Sequence, residues 1–140
     1  MEELLELRHY LEAKNYDKAL EIVNELEEMS REDKINKIYS YAVILLIHLI
    51  KQTVEKRTTR SWDVSIRNSI REINRVNKRR KSGGNYAQDE ELKETITEAI
   101  PAAIDRASLE VNEGLYDSKD LTSLLDENLL VEQAFDLVKR

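Results

Sequence analysis

The chain contains no cysteine. That absence removes disulfide frameworks, thiolate nucleophiles, iron–sulfur ligation and thiolate zinc sites, and it suits a reducing compartment. Three glycines and one proline in 140 residues leave little punctuation for hairpins. A few long helices joined by short turns are expected instead. Long apolar runs are also lacking. The longest, Tyr41 to Ile50, is interrupted by His48 and followed by Lys51. Ten residues rise about 15 Å as a helix, half of a bilayer core, so the run reads as a buried helix and not a membrane span. The opening Met1-Glu2-Glu3-Leu4 is acidic where a signal peptide is basic. The expectation is a soluble, cytoplasmic protein with no membrane contact.

What is present is charge and helical periodicity. Hydrophobic residues make up 41% and charged residues 36%, a balance compatible with one folded domain over residues 1–140. The net charge of −6 is uneven: −5 over residues 1–50, +8 over 51–81 and −9 over 82–140. Leu4, Leu7 and Leu11 define a helical stripe over 2–13. Asn15 is a candidate cap for a second helix ending near Met29. Ser30-Arg31-Glu32-Asp33 has the form of a capping box opening a third helix, about 31 to 55, which is apolar on nearly every side from Ala42 to Ile50. Ser61 is the expected cap of a fourth helix, with Ile66, Ile70 and Ile73 facing inward and Ser82-Gly83-Gly84-Asn85 ending it. A fifth begins at Asp89, with a kink or break expected at Pro101 and a stop near Gly114. Asp120 and Asn128 are candidate caps of two short final helices. The fold class read from this pattern is all-α: a compact bundle of five to six helices around a central buried one.

The stretch Tyr10–Leu20 resembles the inter-helix turn of a tetratricopeptide repeat, but 34 residues on the chain reads Ile44-Leu45-Leu46-Ile47, so no repeat array is expected. A broader resemblance rests on Leu45-Leu46-Ile47-His48-Leu49-Ile50-Lys51 followed by Arg60-Ser61-Trp62-Asp63-Val64-Ser65-Ile66-Arg67. Leu26-Glu27-Glu28-Met29-Ser30 and Leu124-Leu125-Asp126 flank it. These segments resemble a bacterial family abundant in cyanobacteria, domain of unknown function 29. The resemblance implies a small all-helical protein and singles out His48, Lys51, Arg60, Ser61, Trp62, Ile66 and Arg67. It implies no activity.

Three features are candidates for function. His48, in the most apolar stretch, has the chemistry of a general base or metal ligand. The plainer reading is a core histidine bonded to a helix carbonyl or to a polar group near Ser61. Trp62 has the surface to stack on a base or anchor a partner; the plainer reading is a plug at the end of the bundle, covered by Arg60. Arg67, Arg71, Arg75 and Arg79 recur every four residues, about 6 Å apart along a helix and close to the phosphate repeat of a nucleic-acid strand. The plainer reading is that acidic neighbours, within the fold or in a second copy, neutralise this ridge; a protein partner comes next and a nucleic acid after it.

Glu6-x-x-His9 has the spacing of a di-iron bundle, but the other histidine, His48, has Leu45 where its carboxylate partner belongs. No metal site, cofactor or catalytic residue is assigned, and no phosphate loop or nucleophile motif is present. The expected role is a structural or protein-interaction domain acting on itself or another protein. A nucleic-acid-associated protein using the ridge and the Lys78–Lys81 cluster is the alternative. A hydrolase or nuclease built on His48 is weaker still.

Overall fold

Apolar residues returning every three to four positions, with almost no glycine or proline among them, commit nearly the whole chain to helix. A computed structural model describes residues 2–79 and 83–140. Its elements are α1 (Glu2–Glu12), α2 (Tyr16–Glu55), α3 (Arg60–Asn77), α4 (Asp89–Ser108), a short turn at Val111–Gly114, α5 (Ser118–Ser123) and α6 (Glu127–Lys139). The fold is therefore all-α. Extended pairing among the described residues is confined to one isolated antiparallel bridge, Lys78 with Asn85. The chain divides into two compact units, Met1–Lys34 and Ile35–Arg140, with the boundary inside α2.

In the first unit, α1 ends on Lys14 in the left-handed region (φ 57°). Asn15 N donates to Tyr10 O at 2.8 Å and Lys14 N to Leu11 O at 3.1 Å, the pairing that satisfies the last carbonyls of a helix. Asn15 Oδ1 then accepts from Lys18 N at 3.4 Å, capping α2 as its sequence position suggests. No break occurs at Ser30. A capping residue ends a helix only where the neighbours favour leaving it, and Tyr16–Glu55 contains neither glycine nor proline.

In the second unit, the apolar half of α2 is the inner rod. Ala42, Val43, Leu45, Leu46, Ile47, Leu49 and Ile50 are all buried. Ile66, Ile73 and Val76 of α3, seven residues of α4, and Leu130, Val131, Ala134 and Val138 of α6 belong to the same core. Pro101 does not divide α4. It lies on the exposed side of the helix, as does Thr97, whose carbonyl loses its helical donor where solvent can reach it. Three expected caps are displaced. Thr59, not Ser61, caps α3, its Oγ1 accepting from Trp62 N at 3.1 Å. Asp117 rather than Asp120 caps α5, and Asp126 rather than Asn128 caps α6. In each case an equally competent oxygen stands two or three residues upstream, where the backbone is still extended.

The end of α3 differs from the expected glycine stop. The helix closes at Asn77, and Ser82 lies outside the described residues, as do Arg80 and Lys81. Asn77 is buried, and its side chain acts as a surrogate peptide group: Oδ1 accepts from Ala87 N at 2.7 Å and Nδ2 donates to Ala87 O at 3.2 Å. Tyr86 N to Asn77 O (2.8 Å) and Arg79 N to Gly84 O (3.0 Å) close the loop above it. Buried Ser69 Oγ, by contrast, has no hydrogen-bond partner among the described residues. Asn77→Ala should strand both polar groups of Ala87 and cost about 2–4 kcal/mol in urea unfolding, while Asn74→Ala, on the exposed margin of α3, should cost less. Equal losses would contradict the surrogate role.

Candidate functional site

Helix α3 buries Ile66, Ser69, Ile73, Val76 and Asn77, so residues a quarter-turn or more away must face outward. Arg60, Arg67, Arg71, Arg75 and Arg79 are all exposed. Asn74 Nδ2 donates to Val138 O at 3.0 Å, fixing this helix against the end of α6. Arg75 is paired within its own helix, its guanidinium reaching Glu72 Oε2 at 2.7 and 3.0 Å. That bond holds the Glu72 carboxyl below its ordinary range and raises Arg75. Arg79 lies 5.7 Å from the centre of the Tyr86 ring.

Arg67 and Arg71 differ from their neighbours: among the described residues neither has a carboxylate within ion-pair distance. The acidic residues beyond position 82 pair elsewhere, as in Lys93–Glu132 (3.2 Å), Lys139–Asp89 (2.9 Å) and Lys51–Glu110 (2.9 Å). Neutralisation of the ridge by these arms, expected from composition, is not seen at Arg67 and Arg71. With half-buried Ile70 and with Asn74 they line an open groove of about 470 Å³. On its other side Arg67 borders a smaller cleft of about 280 Å³ with Gln52, Asp63 and Gln133 over Leu49, Ile66 and Leu137.

Trp62 occupies a separate corner. Lys51 Nζ stands 5.4 Å and Arg57 Cζ 4.8 Å from its ring centre. Each cation is held by a carboxylate, Lys51 by Glu110 and Arg57 by Glu55, both at 2.9 Å. Glu55 Oε2 also accepts from Asn112 N at 3.4 Å. There the backbone reverses hand, with Asn112 at φ 46°, Glu113 at φ 60° and Gly114 at φ 78°. Two non-glycine residues in this region cost about 1–2 kcal/mol each. Glu55, Arg57, Glu110, Asn112 and Glu113 line a cleft of about 360 Å³. Trp62 is thus fixed by Lys51 and Arg57; Arg60, expected over its face, is exposed, and so is Ser61.

A family model described as domain of unknown function DUF29 matches residues 6–130. The chain belongs to that family. No curated protein and no solved structure matches it. Of the residues singled out by the resemblance, this DUF29 chain brings Lys51 and Trp62 together and leaves Arg60, Ser61 and Arg67 on the surface. His48 is half-buried, with Nδ1 2.8 Å from Ile44 O, so that nitrogen donates to its own helix. Among the described residues no three His, Asp or Glu side chains cluster as a metal site, and no helix is long and apolar enough to cross a membrane. Arg57 and Glu110 were not foreseen. Arg57 had a signal in its nearness to Trp62, whereas Glu110, 59 residues from Lys51, had none.

Two measurements test this geometry in the DUF29 chain. Because Arg75 lowers the Glu72 pKa, their pairing is present above the ordinary carboxylate pKa and is lost as pH falls through the depressed one. Carbon-detected NMR titration should therefore place Glu72 below a free glutamate and return it towards that value in Arg75→Gln. At Gly114 an added Cβ would lie 3.1 Å from Leu109 O and would require a left-handed alanine. Gly114→Ala should cost about 1–2 kcal/mol by urea unfolding; an unchanged midpoint would mean that the turn is not held as described.

Proposed function

We propose that this DUF29 chain is a non-enzymatic protein-interaction domain that offers the Arg67–Asn74 face of α3 to an acidic partner surface. The observation that carries this reading is the pair Arg67 and Arg71, exposed, four residues apart and, among the described residues, without a carboxylate at ion-pair distance, both beside Ile70 in an open groove. Arginine beside a small apolar seat is the composition of interface anchors, since the guanidinium takes both a carboxylate and an apolar contact. A catalytic role finds less support, because His48 spends one ring nitrogen on Ile44 O and, among the described residues, has no carboxylate or nucleophile bonded to it.

The second reading, a phosphate-binding ridge, draws support from the roughly 6 Å spacing of the arginines and from Arg79 over Tyr86. It is weakened at Arg75, whose charge Glu72 already meets. One comparison separates the two. Fluorescence anisotropy would use a labelled helical peptide patterned with leucine and glutamate, and in parallel a labelled DNA duplex. The peptide should bind, and Arg67→Glu with Arg71→Glu should weaken it by about tenfold or more. Tighter binding of the duplex, with a steep dependence on salt, would favour the second reading. Peptide binding unaltered by the two substitutions would remove the first.

A further inference from the structure

The groove on α3 has a counterpart of opposite charge in the same sequence. Helix α1 buries no residue. Leu5 is 68% and Leu11 49% exposed, and in the first turns of α2 Tyr16 is 63% and Leu20 59% exposed. Of the described apolar residues before Lys34, only Ala19 and Ile22 are buried. An eleven-residue helix is marginal in water without a packed face, and a unit of this size that buries Ala19 and Ile22 and only half-buries Leu7, Tyr10, Val23 and Leu26 has a thin core. The first unit therefore needs a cover. Residues 1–34 carry a net charge of −6, so two such units repel one another and a cationic surface is the complementary occupant.

The spacing of groups on α2 narrows the match. Asp17, Leu20 and Glu21 stand at positions i, i+3 and i+4, as do Arg67, Ile70 and Arg71 on α3. Each triplet places an apolar side chain beside two like charges on one flank of its helix. Laid antiparallel, two such helices bring the charged flanks to the same side. Asp17 then meets Arg71, Glu21 meets Arg67, and Leu20 sits against Ile70. Among the described residues Glu21 has only the exposed Lys18, at 3.8 Å, as a partner.

We infer that the chain self-associates, the Asp17–Glu21 face at the start of α2 in one copy docking into the Arg67–Asn74 groove of another. This rests on the proposed use of the α3 face and names its partner as a second copy. The contact joins an apolar seat to two ion pairs, so it weakens with salt but does not depend on charge alone.

Sedimentation equilibrium of the full chain tests it. The wild type should associate in the micromolar range at low salt and about tenfold more weakly at high salt. Arg67→Glu/Arg71→Glu and, separately, Asp17→Arg/Glu21→Arg should each be monomeric. All four positions are exposed, and circular dichroism would verify that both variants keep their helices. An equimolar mixture of the two variants should associate again, as should the fourfold variant with its charges exchanged. A wild type that stays monomeric overturns the inference, as does association that survives either pair of substitutions or variants that do not rescue one another. If the chain is monomeric yet binds the leucine–glutamate peptide through Arg67 and Arg71, the inference falls and the protein-interaction reading stands. If neither binding is seen, both fall.

Discussion

Burial of α2 between Ala42 and Ile50 is the constraint on which the second unit depends. Seven of these nine side chains are buried, and each contributes about 1.5–3 kcal/mol only when neighbours exclude water from it. Because apolar groups point from this segment in nearly every direction, one partner helix is not enough. Helices α3, α4 and α6 contribute side chains to the same core. The faces these helices turn away from α2 are then settled as well. α3 spends its isoleucines on the core, and its arginines are left at the surface by geometry rather than by any attraction of their own.

The same constraint separates two sets of cations that composition had merged. Lys51, one turn beyond His48, lies at the edge of the rod and is buried, so it requires Glu110 as a close counter-charge. Arg67 and Arg71 remain in water and carry no such requirement. The basic middle of the chain is therefore partly structural, at Lys51 and Arg57 around Trp62, and partly available, on α3. The family resemblance drew its residues from both sets, since adjacency in sequence mixes a buried corner with an outer face.

Much of this was legible from residue order. The recurrence of leucine and isoleucine identified the helices and the buried rod, and the four-residue repeat of arginine placed a basic ridge beside the inner face of α3. Boundaries were less legible. Thr59 and Ser61 are both good caps, and choosing between them depends on where the backbone leaves its extended form, which packing decides. Ser30 carries a capping signal that the uninterrupted helix formers around it override. Pro101 breaks helices in general, yet here the carbonyl it leaves without a donor, that of Thr97, lies on an exposed face and α4 continues. The Lys51–Glu110 and Asn77–Ala87 contacts had no local pattern, because a single hydrogen-bonded pair leaves no periodic trace in a sequence.

Asn77 has one more consequence. Its amide works in both directions at once, giving a proton to one backbone atom of Ala87 and taking one from another. Exchanging that side-chain nitrogen for oxygen, as in Asn77→Asp, changes the shape of the group very little. It would leave a carboxylate against the Ala87 carbonyl, two acceptors with no proton between them. The loop that carries Lys78 and Arg79 away from the core thus owes one of its ties to a single nitrogen atom, and the buried end of that loop is where the exchange would be felt.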